Sequence, residues 1–163
     1  MSLLDLKTHQ RYPYMPLVER PDFFWPDGKR LAVAICNNIE VFSFLEGLGS
    51  DSAAIGAPQT TRNYAWRDYG NRVGQWYLFD LLDEFDLPAS HNFNSLLFEH
   101  CPQIADRIIA RGDEFVGHGR TNAERQDVLG EDEERRLIEE ARDSIQRYSG
   151  KTPGGWLGPY LAQ

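Results

Sequence analysis

Cysteine, net positive charge and long apolar runs are what this sequence has least of. Its two cysteines, Cys36 and Cys101, lie far apart. They form neither a disulfide framework nor a paired metal motif, so a reducing, cytoplasmic setting is the expectation. Lys and Arg number 17 against 25 Asp and Glu, a formal charge of −8 with no basic cluster. A nucleic-acid partner is therefore excluded, because such proteins need a cationic face against phosphate. No stretch approaches the roughly 20 apolar residues that cross a bilayer, which argues against a membrane role. Met1–Gln10 contains Asp5, Lys7 and His9 and so lacks the apolar core of a signal peptide. There is no internal repeat and no low-complexity tract.

What remains is a chain of ordinary globular composition. Its 163 residues, 41% hydrophobic and 12% aromatic, suit one domain over 1–163 with a real core. Residues 1–29 read as an extended N-terminal strap. Prolines at 13, 16, 21 and 26 forbid a helix there, and Tyr12, Tyr14, Phe23, Phe24 and Trp25 could pack over the body of the fold. Asp27-Gly28 is a turn signal, and Arg30–Ile39 then reads as a buried strand. Val41–Tyr69 is a long connection whose middle, 46–52, looks mobile.

Apolar spacing predicts a helix over Val73–Phe85, stopped by Pro88, and a strand over Ala89–Phe93. A second helix runs from Pro102 to Arg111 and stops at Gly112. A short buried strand, Glu114–Val116, follows. A third helix begins after Gly130 with four acidic residues, Glu131–Glu134, suited to its dipole, and ends at Gly150. Residues 151–159 read as a turn and a short strand. Strands alternating with helices imply parallel βαβ units and an α/β fold.

Two places carry chemistry. The first is Gly117-His118-Gly119-Arg120-Thr121-Asn122, where a histidine leaves a strand between two glycines. In α/β folds that C-terminal strand end collects catalytic groups, and the glycines permit close approach and unusual backbone angles. The plainer reading is a histidine that satisfies hydrogen bonds at a strand end. The second is Asn37-Asn38-Ile39-Glu40. Alternation puts Asn38 and Glu40 on one face, able to serve a metal, a base role or a substrate, or merely to leave the sheet for solvent. Trp66-Arg67-Asp68-Tyr69-Gly70-Asn71-Arg72, dense in charge and aromatic rings, could line a pocket.

Taken together, five blocks in order resemble the metal-dependent polysaccharide deacetylase (NodB-like) family, in its allantoinase-like and peptidoglycan-deacetylase-like branch. They are Trp25-Pro26-Asp27-Gly28-Lys29-Arg30-Leu31-Ala32-Val33, Asn38-Ile39-Glu40, Trp66 through Gly74, Gly117 through Asn122, and Gly155-Trp156-Leu157-Gly158-Pro159. The resemblance runs from about Arg11 to the last residue. It implies the N-terminal part of a distorted (β/α) barrel with parallel strands, without the C-terminal half, since family members need roughly twice this length. A half-barrel exposes apolar edges, so a homo-oligomer is expected.

The resemblance also implies hydrolysis of a carbon–nitrogen amide bond. The family's first motif pairs two aspartates, a base and a metal ligand, where this chain has Asn38 and Glu40. The second motif places two histidines on the metal, where this chain has His118 and Asn122. The third motif's arginine is missing from Trp156-Leu157-Gly158-Pro159. Asn38 cannot act as a general base, and a Zn²⁺ or other divalent metal site of Glu40, His118 and Asn122 is depleted. Glu40 and His118 are the catalytic candidates. Asn38, Trp66, Arg67, Arg72, Arg120 and Trp156 are candidates for a small-molecule substrate. The expected reaction is hydrolysis of a small cyclic amide or ureide. The alternatives are deacetylation of an N-acetylated carbohydrate, or a non-catalytic small-molecule-binding or truncated family member.

Overall fold

A computed structural model describes residues 9, 11–46 and 59–159. The chain divides into two units, 1–33 and 34–163. In the first, two single turns of 3-10 helix, Leu17–Glu19 and Pro26–Gly28, punctuate an extended path. Asp27 and Gly28 both take positive φ, and Trp25 bridges Lys29 across that turn. Tyr12, Tyr14, Phe23, Phe24 and Trp25 are exposed.

The second unit is built on a three-stranded parallel sheet in the order β1 (Cys36–Ile39), β2 (Ser90–Phe93), β3 (Glu114–Gly117). Register aligns Asn38 with Asn92 and Asn92 with Val116. The last segment adds one parallel bridge, Gly117 to Trp156, beside β3. β1 is shorter than the expected Arg30–Ile39. Its partner begins at Ser90, whose N–H reaches only as far back as the Ile35 carbonyl. With nothing to pair them, Leu31 and Val33 are exposed rather than buried.

Helices cover one face of the sheet. α1 (Thr61–Tyr69) passes through a π-helical turn, Gly70–Gly74, into α2 (Gln75–Glu84). The connection expected to run to Tyr69 therefore becomes helical at Thr61. Only Asn63 of α1 is buried, so no apolar rhythm announces it, and Thr60 caps it by accepting from the Asn63 N–H. The expected mobile stretch from residue 47 onward lies outside the described residues. α3 (Leu97–His100) and α4 (Pro102–Arg111) follow β2, and α4 ends at Gly112 in the left-handed conformation. α5 (Glu131–Ser149) ends the same way at Gly150.

Ile39, Phe79, Phe93, Ile108, Phe115 and Ile145 pack between sheet and helices. Tyr77 and Leu81 of α2 and Phe85 just after it are exposed, so only part of the expected apolar surface is used. Because side chains alternate across a strand, Ile39, Phe93 and Phe115 face the helices while Asn38, Asn92 and Val116 face away. That second face is almost wholly polar, and the next residues along it are Glu40, Asn94 and His118. Both cysteines are free thiols.

Candidate active site

The three strands end in step, and that sets the site. His118 leaves β3 beside Gly117, where an added Cβ would sit 2.5 Å from the Trp156 ring. Only glycine lets Trp156 lie this close, and Gly155-Trp156-Leu157 is thereby held against β3. The Gly117 N–H donates to the Gly155 carbonyl and the Leu157 N–H to the Gly117 carbonyl. Gly119 has a positive φ of 69°, which turns the chain away after the histidine.

His118 is 2% exposed, with Nδ1 2.5 Å from the Leu157 carbonyl and Nε2 3.3 Å from Glu40 Oε1. A carbonyl only accepts, so Nδ1 carries a hydrogen and donates it. In the neutral ring Nε2 is then a lone pair facing a carboxylate oxygen. A proton placed between these two acceptors would bond to both, so the geometry pairs Glu40 and His118 as a couple. Glu40 keeps about a quarter of its side chain open, at 27% exposure, so its carboxylate can meet a small molecule.

Asn94, fully buried, assembles the couple from behind. Its Oδ1 accepts the Val41 N–H at 2.9 Å, just after Glu40. Its Nδ2 donates to the His118 carbonyl and, at 3.2 Å, to Asn122 Oδ1. The Asn122 N–H in turn donates to the Val41 carbonyl, and Asn71 from the π-helical turn donates to the Glu40 carbonyl at 2.7 Å. Asn122, expected to be a metal ligand, thus spends its carbonyl oxygen on Asn94.

A divalent metal does not fit these residues. Glu40 and His118 are the donors left, whereas a zinc site takes at least three protein ligands of nitrogen, sulfur or anionic oxygen. Among the described residues no group of three or more His, Cys, Asp or Glu could hold a metal ion.

The remaining candidates are scattered. Arg67 lines the same small cleft as Glu40, Tyr64 and Asn71, its guanidinium 3.8 Å over the Phe42 ring. Arg72 is ion-paired to Asp68 at 2.5 Å, which raises its pKa, and lines a neighbouring groove of about 560 Å³ with Trp76 and His100. Arg120 is bound by Glu124 and Glu140. Trp66 is exposed with Arg62 over its ring. Trp156 packs on Gly117 and donates its indole N–H to Gln126. Asn38 accepts from Asn92 Nδ2 at 2.7 Å, one layer below Glu40 and His118.

Sequence reasoning did not single out Asn92 and Asn94, although alternation along β2 would place both on the face of Asn38 and Glu40. It also did not find the buried cluster on the helix-facing side. There His91 Nε2 meets Asp113 at 3.1 Å, and Arg111 donates to the same carboxylate at 2.7 Å. Burial lowers the His91 pKa against the pull of Asp113. Burial alone would raise the Asp113 pKa, but hydrogen bonds from Arg111 and His91 overcome it and hold it low.

The chain matches no protein-family model and no curated protein sequence. Solved structures do match. PuuE allantoinase superposes with a TM-score of 0.71 at 23% identity, over 81% of this chain and 47% of that one. A protein from Mycobacterium smegmatis assigned as a polysaccharide deacetylase gives 0.67 at 27% identity, over 85% and 46%. A CE4 family pseudoenzyme from Bacillus anthracis gives 0.52 at 17% identity, over 57% and 32%. The chain spans about half the length of the first two.

Proposed function

Because the chain carries the α/β fold of the NodB-like polysaccharide deacetylases, we propose that it serves a hydrolase acting on the carbon–nitrogen bond of a small cyclic amide or ureide. The observation that carries this reading is the Glu40–His118 couple, set at the C-terminal end of parallel strands with Nδ1 anchored on the Leu157 carbonyl. A carboxylate backed by an oriented imidazole can move a proton in both directions, and hydrolysis of an amide requires that.

In the proposed reaction Glu40 takes a proton from a water whose oxygen adds to the substrate carbonyl carbon. Glu40, steadied by His118 behind it, returns that proton to the ring nitrogen as the C–N bond breaks. Products are a carboxylate and a freed amine or urea nitrogen. Arg67, sharing the cleft of Glu40, puts positive charge beside the developing oxyanion. No step passes through a metal.

The test is hydrolysis of hydantoin by the full-length protein, beside deacetylation of chito-oligosaccharides. We expect hydantoin to be opened, and Glu40→Gln to slow it by 10²-fold or more. Turnover confined to the sugars would replace this reading by the carbohydrate one. No turnover of either would point to a binding protein.

A further inference from the structure

Gln126 lies in the single 3-10 turn Gln126–Val128, between His118 and α5, and is 4% exposed. Its Nε2 donates to Glu134 Oε1 at 2.6 Å, and its Oε1 accepts the Trp156 indole N–H at 3.3 Å. The partners themselves settle which end of the amide is which. An ionised carboxylate only accepts and an indole N–H only donates, so a flipped amide would set acceptor against acceptor and donor against donor. The indole is thereby held at two opposite edges. Its Cε3 and Cζ3 lie where a Cβ on Gly117 would meet them at 2.5 and 2.8 Å, and its nitrogen, on the far side, is on Gln126. Gly155 and Leu157, on either side of Trp156, bond the Gly117 backbone, and the Leu157 carbonyl meets His118 Nδ1.

We propose that Gln126 is a positioning residue that decides which ring nitrogen of His118 carries the hydrogen, acting through Trp156 and aligned by Glu134. A neutral imidazole has one N–H, and His118 has an acceptor at each nitrogen. The Leu157 carbonyl stands 2.5 Å from Nδ1 and the Glu40 carboxylate 3.3 Å from Nε2, so the nearer acceptor takes the hydrogen. That advantage lasts only while the carbonyl stays in line, because a hydrogen bond weakens steeply as it bends. An indole released at its nitrogen can rock on Gly117 and carry the adjoining Leu157 with it. The hydrogen then moves to Nε2 and is donated to Glu40, which makes that carboxylate a weaker base. The position of the hydrogen is a property of the protein without substrate. Only its effect on turnover rests on the hydrolase reading above.

The experiment records the long-range ¹H–¹⁵N spectrum of the uniformly ¹⁵N-labelled protein at about pH 9, where an ordinary imidazole is neutral. His118 is assigned by the signals missing from His118→Ala. The wild type should show Nδ1 as the N–H nitrogen and Nε2 as the lone-pair nitrogen. Gln126→Leu should shift the hydrogen toward Nε2. Glu134→Lys, which offers Gln126 a donor in place of an acceptor, should shift it the same way, while Glu134→Gln, whose carbonyl still accepts, should keep the wild-type pattern. Hydantoin turnover by Gln126→Leu should fall about tenfold or more in kcat with KM little changed. A wild type with its hydrogen on Nε2, or an unchanged His118 in Gln126→Leu, overturns the proposal. If that variant does not fold, an unchanged His118 in Glu134→Lys overturns it instead. A shifted hydrogen in a protein that never opens hydantoin supports the proposal and removes the hydrolase reading alone.

Discussion

At the scale of the residue, what decides the site is which atoms remain free. Asn122 and Arg120 follow His118 in the chain, yet neither is available to a substrate in the way their spacing suggests. Asn94 holds the first, and Glu124 with Glu140 hold the second. His118 is aimed by backbone: the Leu157 carbonyl takes its Nδ1 hydrogen, and Leu157 is in place because Trp156 fits against a residue without a side chain. Gly117→Ala therefore acts at a distance from the chemistry. Its methyl would meet the indole at 2.5 Å and push Trp156 and Leu157 outward. We expect a loss of about 1–3 kcal/mol in urea-unfolding stability together with a fall in kcat. Unchanged stability would mean that the indole yields freely and does not hold the loop.

At the scale of the element, the helices that bury an apolar stripe behind clear stops were legible in the sequence. α4 occupies Pro102–Arg111 as read, bounded by its proline and by left-handed Gly112. β2 and β3 match within one residue, and α5 begins after Gly130. α1 was not legible, because its nine residues bury only Asn63 and leave no periodicity to see. The long strand over Arg30–Ile39 was over-read, because pairing is decided by the neighbour and β2 offers none before Ser90. Glu40 and His118 were legible as types at strand ends. Their meeting 78 residues apart was not, nor was the support from Asn94, since cross-strand contacts leave no trace in local spacing.

The buried cluster of His91, Asp113 and Arg111 gives the sheet a pH dependence of its own. Burial lowers the His91 pKa, so the fold favours the neutral ring. Its contribution is complete above the unfolded value of about 6.5 and is lost as pH falls through the folded value. Asp113, also held low, adds a loss of the same sign at more acid pH. The urea midpoint should fall as pH drops below about 6.5, and His91→Gln should flatten the first part of that fall. A midpoint that rises on acidification would contradict the assignment of a buried neutral ring.

At the scale of the whole molecule, the described strands and helices reproduce part of a larger barrel-like fold, over about half the length of the structures they match. No helix among the described residues is long and apolar enough to cross a membrane. The face of the sheet turned from the helices carries Asn38, Asn92, Glu40, Asn94 and His118 in two layers. Asn92, Asn94 and His118 are buried there, while Asn38 and part of Glu40 stay exposed. The donor set of this face is short of what a metal needs, since Asn122 is already engaged and, among the described residues, two donors remain. Exhaustive dialysis against a chelator is accordingly expected to leave hydantoin hydrolysis within about twofold of its starting rate. A loss restored by Zn²⁺ would show that ligands beyond Glu40 and His118 complete a metal site.

The central claim is that Glu40 and His118 act as one proton-transferring unit, and a double-mutant cycle on hydantoin hydrolysis tests it most directly. Glu40→Gln and His118→Ala should each lower kcat by 10²-fold or more, and the double variant should be scarcely worse than either alone. Losses that multiply in the double variant, or single variants that keep their turnover, would contradict the account.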